Sequence, residues 1–130
     1  MRIGLDIMGG DYAPEEAIKG VRMYFEQVTA TAGDLQDNAN VHLLLIGDAL
    51  AAAPYMSLLD AWQHRFTFIE AGETISMHEH PTKALKEKPN SSIAIGFGLL
   101  QKGKADAFIS AGNTGAMMVG ALYSVKAIDG

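Results

Sequence analysis

The chain has 130 residues, 48% of them hydrophobic and 19% charged, enough apolar material for one packed core and too apolar for a disordered chain. A formal net charge of -5 argues against the broad basic face that nucleic-acid backbones demand, so no nucleic-acid partner is expected. There is no cysteine, no apolar run approaches the roughly 20 residues of a membrane span, and the first apolar stretch, Ile3–Met8, is interrupted by Asp6. The default expectation is a cytoplasmic protein without a signal peptide.

In chain order, Arg2–Ile7 reads as a buried strand, followed by the turn Asp6-Ile7-Met8-Gly9-Gly10-Asp11-Tyr12-Ala13-Pro14. Pro14 suits the opening of a helix, Glu15 and Glu16 complement its positive end, and Ile18, Val21, Phe25 and Val28 recur on one face. Thr29–Asn40 is a polar connection. Val41–Gly47 contains Leu43-Leu44-Leu45-Ile46, whose lack of alternation predicts a strand covered on both faces. A helix over Asp48–Trp62 follows, with Asp48 as N-cap, then a strand over Arg65–Ala71.

Met77-His78-Glu79-His80 carries potential metal ligands, but His78 and His80 lack the i, i+4 spacing of a helical zinc pair and no cysteine accompanies them. A solvated loop and no metal are expected there. Lys83, Lys86 and Lys88 precede a helix over Ser91–Gln101, whose caps are Asn90 and Ser91. The last strand is Asp106–Ala111 and the last helix Asn113–Lys126. This β-α-β-α-β-α-β-α order predicts an α/β fold: a mainly parallel sheet with helices on both faces. The chain stops at Asp129-Gly130, where a helix should hand over to another strand, so residues 1–130 are expected to be one N-terminal α/β portion of a longer enzyme.

Two motifs are incomplete. Gly98-Leu-Leu-Gln-Lys-Gly103-Lys104 matches most of a P-loop, yet Ala105 replaces the Mg²⁺-holding Ser/Thr, and the stretch ends a helix instead of opening one. Gly103 reads as a helix stop. Gly96-Phe97-Gly98 lacks the third glycine of a dinucleotide fingerprint, Gln101 standing in its place.

Three turns have chemistry within reach. In Phe108-Ile109-Ser110-Ala111-Gly112-Asn113-Thr114-Gly115-Ala116 a strand runs straight into a helix. Gly112 and Gly115 permit close backbone approach, Ser110, Asn113 and Thr114 supply donors, and no acidic residue lies between Asp106 and Asp129. A tight turn with Asn113 or Thr114 as N-cap accounts for the same residues. At the first turn, Gly9 and Gly10 suit close approach, while Asp6 and Asp11 repel bare phosphate and instead fix the loop, bind a hydroxyl or hold a metal bridging to phosphate. The stretch Pro81–Ser92 combines lysines with a helix N-terminus, an anion site or an ordinary solvated face.

Taken together and in order, these segments resemble the bacterial acyl-acyl-carrier-protein:phosphate acyltransferases, the PlsX family. The resemblance rests on Asp6-x-Met8-Gly9-Gly10-Asp11-x-Ala13-Pro14, on Pro81-x-x-Ala84-Leu85 leading to Ser91-Ser92, and on Ala105-Asp106-Ala107 running into Ser110-Ala111-Gly112-Asn113-Thr114-Gly115-Ala116. Ile7, Lys86 and Asn90 stand where the family commonly has Ala, Arg and Asp; Lys86 keeps the charge but not the planar fork of arginine.

The resemblance implies a three-layer fold similar to phosphate acetyl- and butyryltransferases and isocitrate-dehydrogenase-like enzymes. It implies transfer of a fatty acyl group from acyl carrier protein to inorganic phosphate, without a cofactor, for phospholipid biosynthesis. The residues it points to are Asn113 and Asp6 as catalytic, with Gly9, Gly10, Asp11, Lys86, Ser91, Ser92, Ser110, Gly112, Thr114 and Gly115 around the phosphate. It further implies a homodimer loosely associated with the membrane surface through regions beyond Gly130. The alternatives are a short-chain acyl-CoA phosphotransacylase and a non-catalytic ligand-binding module on the same fold.

Overall fold

A computed structural model describes residues 1–30 and 40–129. Most of the connection expected over Thr29–Asn40, and Gly130, lie outside the described residues. The described strands are β1 (Arg2–Asp6), β2 (His42–Gly47), β3 (Phe66–Glu70) and β4 (Ala107–Ile109). They form one parallel sheet in the order β3-β2-β1-β4. Each lies within the span its apolar run predicts, β4 being the shortest.

The register is fastened at both neighbours of β1. Leu5 stands opposite Leu45 on one side and Ile109 on the other. At the start of the β1–β4 pair, Asp106 takes the Arg2 N–H at 2.7 Å, and the Arg2 guanidinium reaches the Gly103 carbonyl at 2.7 Å.

The helices are α1 (Glu15–Ala30), α2 (Ala49–Ala52), α3 (Pro81–Glu87), α4 (Ser92–Gln101) and α5 (Thr114–Ser124), with a 3₁₀ segment over Met56–Arg65. Two clusters of buried side chains form the core. Ile18, Val21 and Phe25 of α1 join Leu43 and Leu45 of β2 and Leu59 of the 3₁₀ segment. Ile93 and Phe97 of α4 join Ala84, Ala116 and Ile75, with Phe108 of β4 packed against them. Phe97 and Phe108 meet edge to face at 5.3 Å. The sheet thus lies between two helical layers.

Two expectations need correction. The single helix over Asp48–Trp62 is broken in two, because Pro54 has no N–H to continue the ladder. Asp48 does cap α2, but beyond Ala52 the chain tightens into i, i+3 bonds, Tyr55 N–H to Ala52 and Leu58 N–H to Tyr55. The lysine-rich stretch before Ser91 is itself helical, as α3, with Pro81 in its first turn. The false P-loop ends α4: Gly103 adopts φ 68° and its N–H bonds back to Leu100, the geometry of a helix stop.

The connections from β1 to β2 and β2 to β3 lead outward in one direction, and the next returns across the sheet to β4. The strand order therefore reverses between β1 and β4. In open parallel sheets the crevice beyond the carboxyl ends at such a switch is where ligands bind.

Candidate active site

Asp6 ends β1 at that crevice and is only 4% exposed. A buried carboxylate is tolerated when its oxygens are hydrogen-bonded. One oxygen accepts the Met8 N–H at 2.9 Å and the other the Ser110 hydroxyl at 2.7 Å. The Ser110 oxygen in turn accepts the Gly112 N–H at 3.0 Å. A continuous chain of bonds thus joins the turn after β1 to the turn after β4, across 104 residues of sequence.

Glycine is required where these turns touch. A Cβ on Gly9 would stand 2.6 Å from the Gly112 nitrogen and 3.0 Å from the Ala111 carbonyl carbon. Gly10 serves differently: it adopts φ 98°, with open space around it. Asp11 is exposed on the same loop.

Beyond Gly112 the chain enters α5. Asn113 is 4% exposed and caps the helix, its side-chain oxygen accepting the Ala116 N–H at 2.9 Å. Its amide nitrogen donates to the carbonyls of Ser76, at 2.8 Å, and Glu79, at 3.2 Å. Both amide hydrogens are thereby used. The first turn of α5 holds no acidic residue, and among the described residues no protein acceptor meets the N–H groups of Thr114 and Gly115. Thr114 is exposed. The close approach that requires glycine at 115 is made by Pro81, whose Cγ would lie 2.3 Å from an added Cβ.

Ser91 and Ser92 begin α4 beside this turn; an added Cβ on Gly112 would be 3.3 Å from the Ile93 side chain. Both serines are buried, and the Ser91 hydroxyl caps α4 by accepting the Ala94 N–H at 3.2 Å. The structure therefore brings together Asp6, Gly9, Ser110 and Gly112 directly, with Asn113, Thr114, Gly115, Ser91 and Ser92 around them. Lys86 points elsewhere, lining a groove of about 300 Å³ with Leu85, Phe97, Val119 and Tyr123. A larger apolar groove, about 800 Å³, runs along Ile3, Leu5, Val21, Tyr24 and Ile109 and reaches Asp6 and Gly9.

Sequence reasoning missed the segment that grips Asn113. Within it, Glu79 accepts the Ser76 N–H at 2.6 Å and pairs with Lys88 at 2.8 Å. The Lys88 ammonium, then the Ser76 N–H, holds the Glu79 carboxyl below its ordinary range. No local motif announces this contact, since Asn113 meets Ser76 across 37 residues and Glu79 across 34. Among the described residues there is no cluster of three potential metal ligands and no helix long and apolar enough to cross a membrane.

Comparison with known proteins gives a consistent picture. A family model described as fatty acid synthesis protein matches residues 1–130. A protein named phosphate acyltransferase from Thermoanaerobacterium thermosaccharolyticum is 39% identical over all 130 residues, which are 34% of its length. One of the same name from Caldanaerobacter subterraneus subsp. tengcongensis is 40% identical over 130 residues, 35% of its length. Another, from Halothermothrix orenii, is 43% identical over 123 residues, 95% of this chain and 34% of that protein. The chain spans about a third of the length of these curated relatives.

Proposed function

The chain belongs to the fatty acid synthesis protein family, and from that premise we propose that it supplies the phosphate-handling turns of an acyl-acyl-carrier-protein:phosphate acyltransferase. The observation that carries the proposal is the acid-free first turn of α5, set at the switch point and tied to the turn after β1. Helix N-termini of this kind favour anions through their N–H groups and the helix dipole.

In this reading the N–H groups of Thr114 and Gly115 and the Thr114 hydroxyl hold inorganic phosphate. A phosphate oxygen attacks the thioester carbonyl of the acyl carrier protein. A new acyl–oxygen bond forms, the acyl–sulfur bond breaks, and the carrier leaves as thiolate. Phosphate is itself the nucleophile, so the chemistry needs no covalent enzyme intermediate and no cofactor. What the protein contributes is orientation and donors for developing negative charge. Asn113, whose amide is committed to two carbonyls, aims the helix; Asp6 and Ser110 hold the two turns in register. Gly9, Gly10, Gly112, Ser91 and Ser92 shape the walls, with Asp11 and Lys86 at a greater remove.

The proposal extends to the longer protein the relatives represent: a cytoplasmic homodimer with peripheral membrane contact, feeding acyl phosphate to phospholipid synthesis. The test is acyl phosphate formation by the full-length protein, from long-chain acyl carrier protein and, in parallel, from short-chain acyl-CoA. The expected result is product from the carrier thioester. Product from acyl-CoA alone, or none from either, would overturn it.

A further inference from the structure

The loop before α3 is joined to the α5 N-terminus by an unbroken series of bonds. The Asn113 amide donates to Ser76 and Glu79 carbonyls at 2.8 and 3.2 Å. Those carbonyls belong to the segment Glu73–His80, which no strand of the sheet includes; Glu73 bridges to Ser91, the N-cap of α4, and Ile75 packs with Ile93 and Phe97. The Glu79 carboxylate folds the segment back on itself by accepting the Ser76 N–H at 2.6 Å. Lys88, just past the end of α3, closes the loop: its ammonium donates to Glu79 at 2.9 Å and to the Thr74 carbonyl at 2.9 Å. Both charged side chains are about two-thirds covered, at 32% exposure each.

An ordinary surface pair joins two side chains and contributes little. This one differs because each partner also bonds the backbone of the segment whose carbonyls grip Asn113. We infer that Lys88 and Glu79 are positioning residues for the transfer reaction: their ion pair shapes the Glu73–His80 segment and so aims the first turn of α5 at phosphate. The inference rests on the acyltransferase reading for its ligand, and on the hydrogen-bond geometry for the link itself.

The test uses the full-length protein with Lys88→Met, Lys88→Arg, Glu79→Gln and the double change Glu79→Gln with Lys88→Met. Two quantities are read: KM for phosphate and kcat at saturating acyl carrier thioester, and the NMR resonances of the Asn113 side-chain amide. Lys88→Met and Glu79→Gln should each raise the phosphate KM about 10-fold or more, as small misplacements remote from the chemistry do. The Asn113 resonances should move with it. The double change should be no worse than either alone, since both break one link, and Lys88→Arg should recover most of the loss.

If Lys88→Met does not fold, Glu79→Gln keeps an acceptor for the Ser76 N–H and carries the same test. A lowered melting temperature with unchanged phosphate KM and unchanged Asn113 resonances would overturn the inference. Wild-type protein that makes no acyl phosphate would instead sink the acyltransferase reading, and the Asn113 resonances would still decide for or against the clamp.

Discussion

Two helices begin at the carboxyl edge of the same sheet, and their first turns are filled in opposite ways. At α2, the Asp48 carboxylate accepts the N–H groups of Leu50 and Ala51, at 2.9 and 3.3 Å, and Glu70 accepts that of Ala49 at 3.1 Å. At α5, neutral Asn113 takes only the Ala116 N–H and spends its amide on a neighbouring loop. Both junctions follow from one rule, that a helix start leaves N–H groups in need of acceptors. Where the protein supplies carboxylates, the junction is a closed structural cap. Where it supplies a neutral cap and withholds acids, the N–H groups of Thr114 and Gly115 meet no acceptor among the described residues, which is what the proposed anion site requires.

The most severe way to break this contrast is to disturb the α5 junction itself. Asn113→Ala removes the cap, leaves the Glu79 carbonyl without its donor and leaves the Ser76 carbonyl with only the Glu79 N–H, so stability should fall by about 2 kcal/mol. The phosphate-dependent rate should fall about 10²-fold with it, the scale of a misaimed site. Kinetics at a temperature where the variant stays folded separates the two effects. A stability loss with normal turnover would make Asn113 a cap and nothing else.

A sharper comparison turns the open junction into a closed one. Thr114→Asp places a carboxylate in the first turn of α5, where the dipole favours it by about 0.3–1 kcal/mol. The melting temperature should hold or rise while the phosphate KM rises about 10-fold or more, by like-charge repulsion. Asp48→Ala at α2 should do the reverse. It should cost about 1 kcal/mol of stability and leave the phosphate KM unchanged in steady-state assay.

The Glu79–Lys88 pair gives a smaller effect that depends on pH. The Glu79 carboxyl is held below its ordinary value, so its contribution to stability is present above the unfolded pKa, about 4.3 for a glutamate, and is lost as pH falls through the lower, folded value. The melting temperature difference between wild type and Glu79→Gln should therefore be constant near neutrality and shrink on acidification. A difference independent of pH would show that the charge contributes nothing. At the bottom of the scale, Lys102→Ala on the false P-loop should change stability by less than about 0.5 kcal/mol and leave turnover unaltered.

How much of this was legible in the sequence differs between the two junctions. The strands announce themselves as apolar runs, and the parallel order follows from their alternation with helices, so the meeting of the Asp6 and Ser110 turns at one edge was within reach. Asp48 and Asn113 stand where caps are expected. Pro54 divides the helix expected over Asp48–Trp62 by lacking an N–H, although the residues around it favour helix. The grip of Ser76 and Glu79 on Asn113 was not legible, because it depends on backbone carbonyls, which every residue has, brought together by α3 and α5 packing. Lys86 shows the converse: chemistry and motif single it out, yet α3 turns it to a different groove.

The claim that the α5 junction is the anion site is tested most directly by titrating the full-length protein with inorganic phosphate and following backbone amide resonances. Saturable shifts centred on Thr114 and Gly115, and absent from Leu50 and Ala51 at the closed α2 junction, are the predicted result. Phosphate that shifts neither pair, or both alike, would contradict the account.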